Sequence, residues 1–291
     1  MEVGMIDVDG HHFPNLALMK ISAYEKQCGN HVEWWNGLKH YGRVYEAKVF
    51  DKTYTKDNQF VIMADEVIKG GTGYGLDNKL PDEIEHIYPD YSLYGITDTA
   101  YGFLSRGCPR HCPFCIVGDK EGTKSRKVAD IGEFWRGQGH VEILDPNLLA
   151  CSERGELLDE LINTNATINF NQGLDVRLLT KGTAEQINKI KTDRLHFAWD
   201  NYDHGYTRKK LEKAREWLDK DRWHTIVYVL VNYNTTIGQD IYRVRTLDNI
   251  GYEPFVMVYD KPNASQEIKH FQRWVNNKRL FRSCSWEEYK Q

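Results

Sequence analysis

Arg106-Gly107-Cys108-Pro109-Arg110-His111-Cys112-Pro113-Phe114-Cys115 is the most informative stretch of the chain, because it holds three cysteines within eight residues. It directly follows a predicted strand, Thr99–Ser105, and its prolines and flanking charges are typical of an exposed loop. Thiolates suit iron–sulfur clusters and zinc. The spacing is C-x3-C-x2-C, and the other cysteines, Cys28, Cys151 and Cys284, are scattered singly. Three ligands leave one metal position open, as chemistry at a metal requires.

The chain around this loop alternates predicted strands and helices. The strands centre near Leu104, Ile143, Asn169, Phe197, Tyr228 and Val256, and the helices cover Val128–Arg136, Arg154–Asn163, Thr183–Lys191, Thr207–Leu218, Gly238–Ile250 and Ser265–Val275. After the first interval the strands recur about every 30 residues, the usual length of a strand–helix unit. Six units are too few for a complete barrel. Residues 96–291 are therefore predicted to form a partial (β/α)6 TIM-like barrel with a C-terminal helical tail.

Residues 1–95 are predicted to form a small Rossmann-like α/β domain. The predicted strands are Val3–Val8, His31–Trp35, Arg43–Phe50 and Glu66–Lys69, and the predicted helices are Asn15–Gln27 and Pro81–Tyr88. Their alternation favours a partly parallel sheet. Gly70–Gly75 is rich in glycine but lacks the Gly-Lys-Ser/Thr of a phosphate-binding loop, so a flexible turn is the favoured interpretation.

Composition limits the class of protein. The chain has 291 residues, of which 41% are hydrophobic and 27% charged, so a normal folded core is expected. A net charge of −4 excludes the overall basic excess of a dedicated nucleic-acid binder. The sequence shows no export signal and no run of 18 apolar residues, so we expect a cytoplasmic protein without a membrane span. Its six cysteines should then stay reduced, and their clustering indicates metal binding.

With Phe114 directly before the last cysteine, the C-x3-C-x2-C loop resembles the signature of the radical S-adenosylmethionine (radical SAM) superfamily. The resemblance implies a 4Fe-4S cluster on Cys108, Cys112 and Cys115, with the fourth iron chelated by the amino and carboxylate groups of S-adenosyl-L-methionine. It also implies reductive cleavage of that cofactor to a 5′-deoxyadenosyl radical, which abstracts hydrogen from an unknown substrate. A reductant such as flavodoxin or ferredoxin is the implied electron donor.

The same resemblance extends to strand ends, where barrels of this kind place their sites. Leu144–Asn147 replaces the family's usual Gly-Gly-Glu and is similar to the acidic–Asn variant of branches with an N-terminal cobalamin-type domain. Asn171–Arg177 resembles the third-strand segment of those branches, which implies that Arg177 pairs with the cofactor's carboxylate; the alternative is a surface salt bridge. The implied cofactor-binding residues are Phe114, Asp145, Asn147, Gln172, Asp175 and Arg177, and Asp200 is added because it directly follows the fourth predicted strand.

Residues 1–95 resemble the cobalamin-binding domain that precedes the barrel in many members. The cobalamin-ligating Asp-x-His-x-x-Gly is absent, because Asp7–His12 lacks the spacing, so the domain is expected to be degenerate and to bind no cobalamin. Methylthiotransferases carry a second cluster on three N-terminal cysteines, whereas this region has only Cys28. Peptide maturases often carry many C-terminal cysteines, whereas only Cys284 lies there. Both activities are disfavoured.

Three alternatives remain open at this point. The loop cysteines could form a zinc site completed by His111 or by a distant histidine, in a zinc-stabilised nucleic-acid-binding protein. The cluster could instead serve electron transfer or redox sensing without radical catalysis. Arg273–Arg282 and Lys124–Lys127 are basic, and the first has interleaved aromatics, so the substrate could be a nucleotide or RNA. A solvated face of an amphipathic helix is the commoner origin of such a patch.

Overall fold

A computed structural model describes residues 1–10 and 13–290 as an α/β protein; His11 and His12, within the Asp7–His12 segment discussed above, lie outside the described residues. The strands are β1 (Glu2–Asp7), β2 (His31–Trp34), β3 (Tyr41–Ala47), β4 (Ala64–Gly70), β5 (Thr99–Gly102), β6 (Ser105–Arg106), β7 (Arg126–Lys127), β8 (His140–Ile143), β9 (Thr167–Phe170), β10 (Leu195–Ala198), β11 (Thr225–Val231) and β12 (Glu253–Val258).

The helices alternate with these strands. They are α1 (Leu16–Gln27), α2 (Asp82–Glu85), α3 (Val117–Glu121), α4 (Arg154–Ile162), α5 (Lys181–Lys189), α6 (Tyr206–Trp217), α7 (Ile237–Asn249), α8 (Gln266–Asn276), α9 (Lys278–Ser283) and α10 (Trp286–Tyr289). Within the described part of the chain, none of these helices is long and apolar enough to cross a membrane.

The N-terminal sheet is parallel and has the strand order β2-β1-β3-β4. Its central strand β1 buries Val3 and Met5 in a small apolar cluster with Leu18 and Ile21 of α1. The helix begins where the Asn15 side chain accepts a hydrogen bond from the backbone N–H of Leu18, which satisfies one free amide of the first turn. Residues 1–95 therefore carry a core cluster of their own.

Two further parallel sheets follow, each of three strands, with the orders β5-β8-β9 and β10-β11-β12. β11 shows how they are covered: Thr225, Val227, Val229 and Val231 are buried, and the residues between them are half-buried. Because side chains alternate between the faces of a strand, one face lies in the main core and the other is more open.

The two three-stranded sheets are adjacent. The chain leaving β9 turns at Gly173, and the backbone N–H of Leu174 donates to the carbonyl of His196 in β10 at 2.7 Å. Gly173 has φ +80°, and a Cβ there would lie 3.1 Å from the same carbonyl oxygen. A glycine is therefore required where the end of the first sheet meets the second.

One predicted helix is wrong. Val128–Arg136 contains only a 3-10 turn at Ile131–Glu133. The chain there places Phe134 against Gly102, where a Cβ would lie 2.2 Å from the Phe134 ring, and the Tyr91 hydroxyl donates to the Phe134 carbonyl at 2.7 Å. A Tyr side chain thus holds a carbonyl that a longer helix would use internally. The strand predicted near Leu104 is also divided, between β5 and the short β6.

The structure gives a packing role to residues of two segments singled out in the sequence, the glycine-rich Gly70–Gly75 and the basic Arg273–Arg282. A Cβ at Gly71 or Gly73 would lie 2.3 Å from the carbonyl oxygens of Lys48 and Phe50, respectively, so these glycines allow close backbone packing after β3. In the basic C-terminal stretch Trp274 is buried in the main core, with Phe281 packed against that core.

Candidate metal centre and its polar surroundings

The cysteine loop is closed by its own backbone. β6 and β7 pair antiparallel on either side of it, and within it the amide of Cys108 donates to Gly122 O at 3.1 Å. The amide of Cys115 donates to Cys112 O at 2.9 Å. Gly107 has φ +94°, and a Cβ there would lie 2.2 Å from Lys124 O. The loop can therefore close only with glycine at this position.

The N-terminal residues hold the same loop from outside. Arg106 donates to Glu121 Oε1 of α3 at 2.9 Å and to Glu85 Oε1 of α2 at 3.0 Å. Lys120 in α3 donates to Leu76 O at 2.9 Å. Neither cation was among the predicted site residues, although both are basic residues close to the cysteine motif. They join residues 76–85 to the loop that carries the three thiols.

Asn147 joins three parts of the chain. Its Nδ2 donates to Cys108 Sγ at 3.4 Å and to Asp175 Oδ2 at 3.3 Å. Its Oδ1 is buried and has no hydrogen-bond partner among the described residues. The residues after β8, the residues after β9 and the cysteine loop thus meet at one amide, and contact of Asn147 and Asp175 with a cofactor stays a prediction.

Asp175 is the centre of a charged group. It accepts from Arg110 Nε at 2.7 Å and from Arg177 Nε at 2.7 Å. Burial alone would raise the pKa of Asp175, but hydrogen bonds and charge from Arg177 and Arg110 outweigh it and hold that pKa below its ordinary value. Arg177 therefore has an ion-pair partner within the protein. Arg110, which lies between Cys108 and Cys112, is a further member of this charged group and was not among the predicted site residues.

The positive charge of Arg177 acts on both Cys112 and Asp200. Burial raises the pKa of the Cys112 thiol; Arg177 opposes the rise and Asp200 adds to it. Asp200 follows β10, is half-buried, and has no hydrogen bond or ion pair in the described part of the chain. Burial raises the pKa of Asp200 to about 6, against the opposing charges of Arg243 and Arg177.

Asp145 serves the backbone. Its carboxylate accepts from Leu104 N at 2.8 Å, from Ser105 N at 2.7 Å and from Ser105 Oγ at 2.5 Å. Burial raises the pKa of Asp145 to about 6, although these hydrogen bonds work against the rise. Asp145 thus fixes the start of the cysteine loop, and its direct contact with a cofactor stays a prediction.

The last two predicted residues differ in setting. The Phe114 ring packs edge-on against Tyr233, with centroids 5.3 Å apart, and Tyr233 packs against Tyr259 at 4.9 Å. These tyrosines follow β11 and β12 and were not predicted. Gln172 is exposed and has no hydrogen-bond partner among the residues described. Phe114 therefore connects the cysteine loop to the second three-stranded sheet, whereas Gln172 has no comparable contact.

Single-ion geometry is a separate question from cluster geometry. In residues 1–10 and 13–290, no group of three or more His, Cys, Asp or Glu side chains is arranged so that it could hold a metal ion. An iron–sulfur cluster binds its cysteines through different irons, so those cysteines need not converge on one point.

The comparisons with known proteins add no family. No protein-family model matches the chain, and no curated protein matches it at a significant level.

Proposed function

We propose that the protein is a radical SAM enzyme. The observation that carries the proposal is the position of Asn147, whose amide contacts Cys108 of the cysteine loop and Asp175 of the arginine-bound group. Residues that are 39 and 28 positions apart from it in sequence thus form one polar site. A loop that only stabilised the fold would need no such charged group beside its thiols.

We also propose that the two three-stranded sheets are halves of a six-stranded partial barrel. Their strands follow one another in chain order, and the Leu174–His196 hydrogen bond joins the exit of β9 to β10. In such a barrel the ends of all six strands face one side, where the cysteine loop, Asn147, Asp175 and Asp200 would share a single surface.

The residues present fit the implied cofactors. Cys108, Cys112 and Cys115 would hold the 4Fe-4S cluster and leave one iron free for S-adenosyl-L-methionine. The carboxylate of Asp200 and the Oδ1 of Asn147, which have no partner among the described residues, suit a ligand that brings an amino group, because both accept hydrogen bonds. When bound, the cluster and S-adenosyl-L-methionine supply a one-electron cleavage that yields a 5′-deoxyadenosyl radical.

The residues around the cysteine loop orient its thiols and set the charge of the site. Asn147 donates to the Cys108 sulfur and so helps to orient it, and Asp145 fixes the backbone where the loop begins. Arg177 and Arg110 keep Asp175 ionised, so that the group stays charged at neutral pH. The contact between Phe114 and Tyr233 provides an apolar side to the site. Each of these acts on orientation or charge.

The test is anaerobic. The reconstituted protein receives dithionite and S-adenosyl-L-methionine, and 5′-deoxyadenosine is measured by chromatography. We expect the wild type to form it, Cys112→Ala to lose iron and product, and the matched control Cys28→Ala to keep both, since Cys28 lies outside the loop. Full iron content and brown colour in Cys112→Ala would refute the cluster assignment.

Other results would favour the alternatives. A brown protein that forms no 5′-deoxyadenosine and shows no heat of binding with S-adenosyl-L-methionine would support electron transfer or redox sensing. A colourless protein that contains zinc would support a zinc-stabilised binding protein. Reduced thiols and an oxygen-sensitive cluster suit the cytoplasm, and we propose that location, with flavodoxin or ferredoxin as reductant.

A further inference from the structure

The strand β4 has a free edge and two exposed faces. It is the last strand in the order β2-β1-β3-β4 and pairs only with β3 in the described structure. Its five central residues, Asp65 to Lys69, are all exposed. Such an edge presents unpaired backbone N–H and C=O groups to any strand that can align with it. The opposite edge, β2, is shorter and mostly half-buried.

Apolar side chains lie along the same edge. Phe60, Val61 and Met63, which lead into β4, are 72%, 86% and 42% exposed, and Val67 and Ile68 within the strand are 38% and 36% exposed. Five large apolar residues are thus exposed within nine positions, with Val67 and Ile68 on opposite faces of β4, and exposed apolar side chains along a free strand edge favour an interaction site.

The charges on β4 select a partner. Asp65, Val67 and Lys69 share one face, because side chains alternate along a strand. If a second β4 aligns antiparallel about Val67, Asp65 lies opposite Lys69 of the partner subunit, and the two-fold axis repeats the pair. A two-fold axis at Glu66 or Ile68 would instead place Asp65 or Lys69 opposite Val67. Only the central register pairs both charges across the strands.

We propose that β4 pairs antiparallel with β4 of a second copy of this chain, centred on Val67. The dimer joins two four-stranded sheets into one and covers Val67 with its own counterpart. Both copies use the same residues, so the contact closes on itself and adds no third chain. The surface lies in the N-terminal sheet and does not depend on the function of the cysteine loop.

Two charge reversals test the register. The thiols of the full-length protein are kept reduced, and its molecular mass in solution is measured by light scattering and sedimentation equilibrium. Wild type is expected at twice the 34.0 kDa of the chain. Asp65→Lys and Lys69→Asp each place like charges opposite one another, so each alone should be monomeric, with Kd raised at least tenfold. An equal mixture of the two restores both ion pairs and should form a mixed dimer.

Matched controls carry the same charge changes elsewhere. Asp193→Lys and Lys209→Asp alter exposed residues outside the N-terminal sheet and should stay dimeric. Within the subunit Lys69 pairs with Glu46 at 3.2 Å and Asp65 with His40 at 3.5 Å, so circular dichroism must show that both reversals are folded. Val67→Lys, which disturbs no ion pair, should be monomeric in any case. A monomeric wild type, a dimeric Val67→Lys, or two reversals that fail to recombine although folded would overturn the proposal.

Discussion

The ends of β8 and β10 carry two carboxylates in similar surroundings with different partners. Burial raises the pKa of both Asp145 and Asp200 to about 6. Asp145, after β8, accepts three hydrogen bonds from Leu104 and Ser105, whereas Asp200, after β10, has none among the described residues. Loss of solvent explains the shared pKa, and hydrogen bonding explains the difference in role.

The comparison distinguishes a carboxylate that stabilises the fold, Asp145, from one that is available to a ligand, Asp200. A buried carboxylate that satisfies backbone amides stabilises the fold it sits in, because removing it leaves those amides without partners. A half-buried carboxylate without partners costs stability, and such a residue is retained where a ligand compensates. We therefore expect substitutions at Asp145 and Asp200 to change stability in opposite directions.

The largest effect should follow Asp145→Ala. It removes both acceptors of the Leu104 and Ser105 amides, so the free energy of unfolding of the cluster-free protein should fall by about 3 kcal/mol. Urea denaturation at pH 7 measures it. Asp193→Ala, at an exposed residue without a hydrogen-bond partner in the described chain, is the control and should change stability by less than about 0.5 kcal/mol. Equal results for both would break the comparison.

Asp200→Asn should stabilise the cluster-free protein. A pKa of about 6 in place of 3.8 means that ionised Asp200 costs about 3 kcal/mol at most, since a tenfold change in proton affinity is about 1.4 kcal/mol. Asparagine removes the charge at nearly equal size, so we expect a gain of about 1–2 kcal/mol at pH 7. Binding of S-adenosyl-L-methionine to the reconstituted protein, measured by calorimetry, should weaken. A loss of stability with unchanged binding would contradict this role.

The gain at Asp200 should depend on pH. The folded protein holds this proton more tightly than the unfolded chain, so the cost of ionisation is complete above about pH 6 and disappears below about pH 4. The difference in unfolding free energy between Asp200→Asn and wild type should therefore shrink as pH falls from 7 to 4. Asp193→Asn should show no such trend. A pH-independent difference would mean that packing, and not charge, causes the gain.

The smallest effect should follow Ser105→Ala. It removes one of three hydrogen bonds to Asp145 and leaves both backbone bonds in place, so the unfolding free energy should fall by about 1 kcal/mol. The pKa of Asp145 should also rise further, because that hydrogen bond favours the ionised form. A loss as large as that of Asp145→Ala would mean that the hydroxyl, rather than the amides, is the main partner.

Many of the strands and helices could be predicted because they depend on local sequence patterns. β11 is a seven-residue run of valine, isoleucine and other strand formers, and α7 lies within one residue of the predicted Gly238–Ile250 at each end. Val128–Arg136 was wrong because its conformation depends on Tyr91 and Gly102, which are distant in sequence. Helical periodicity contains no information about such contacts.

Some members of the candidate site could be selected from the sequence because residue type limits chemistry, although their cofactor contacts stay predictions. Three cysteines, Asn147 and Asp175 were selected by spacing and resemblance, and the structure brings Cys108, Asn147 and Asp175 into contact. The use of Asp145 by backbone amides was not readable, because a carboxylate that binds amides and one that binds a ligand look alike in sequence. Arg110 was not selected because its position between Cys108 and Cys112 does not show that it pairs with Asp175, 65 residues away.

The closed backbone of the cysteine loop has a kinetic consequence. Because the β6–β7 pairing and the Cys108–Gly122 bond close the loop in the folded chain, much of its conformational entropy is already lost during folding. Under the proposed function, a cluster destroyed by oxygen would be rebuilt on a loop that already has its final shape. The rate of this proposed cluster repair would then be set by the delivery of iron and sulfide and not by rearrangement of the loop.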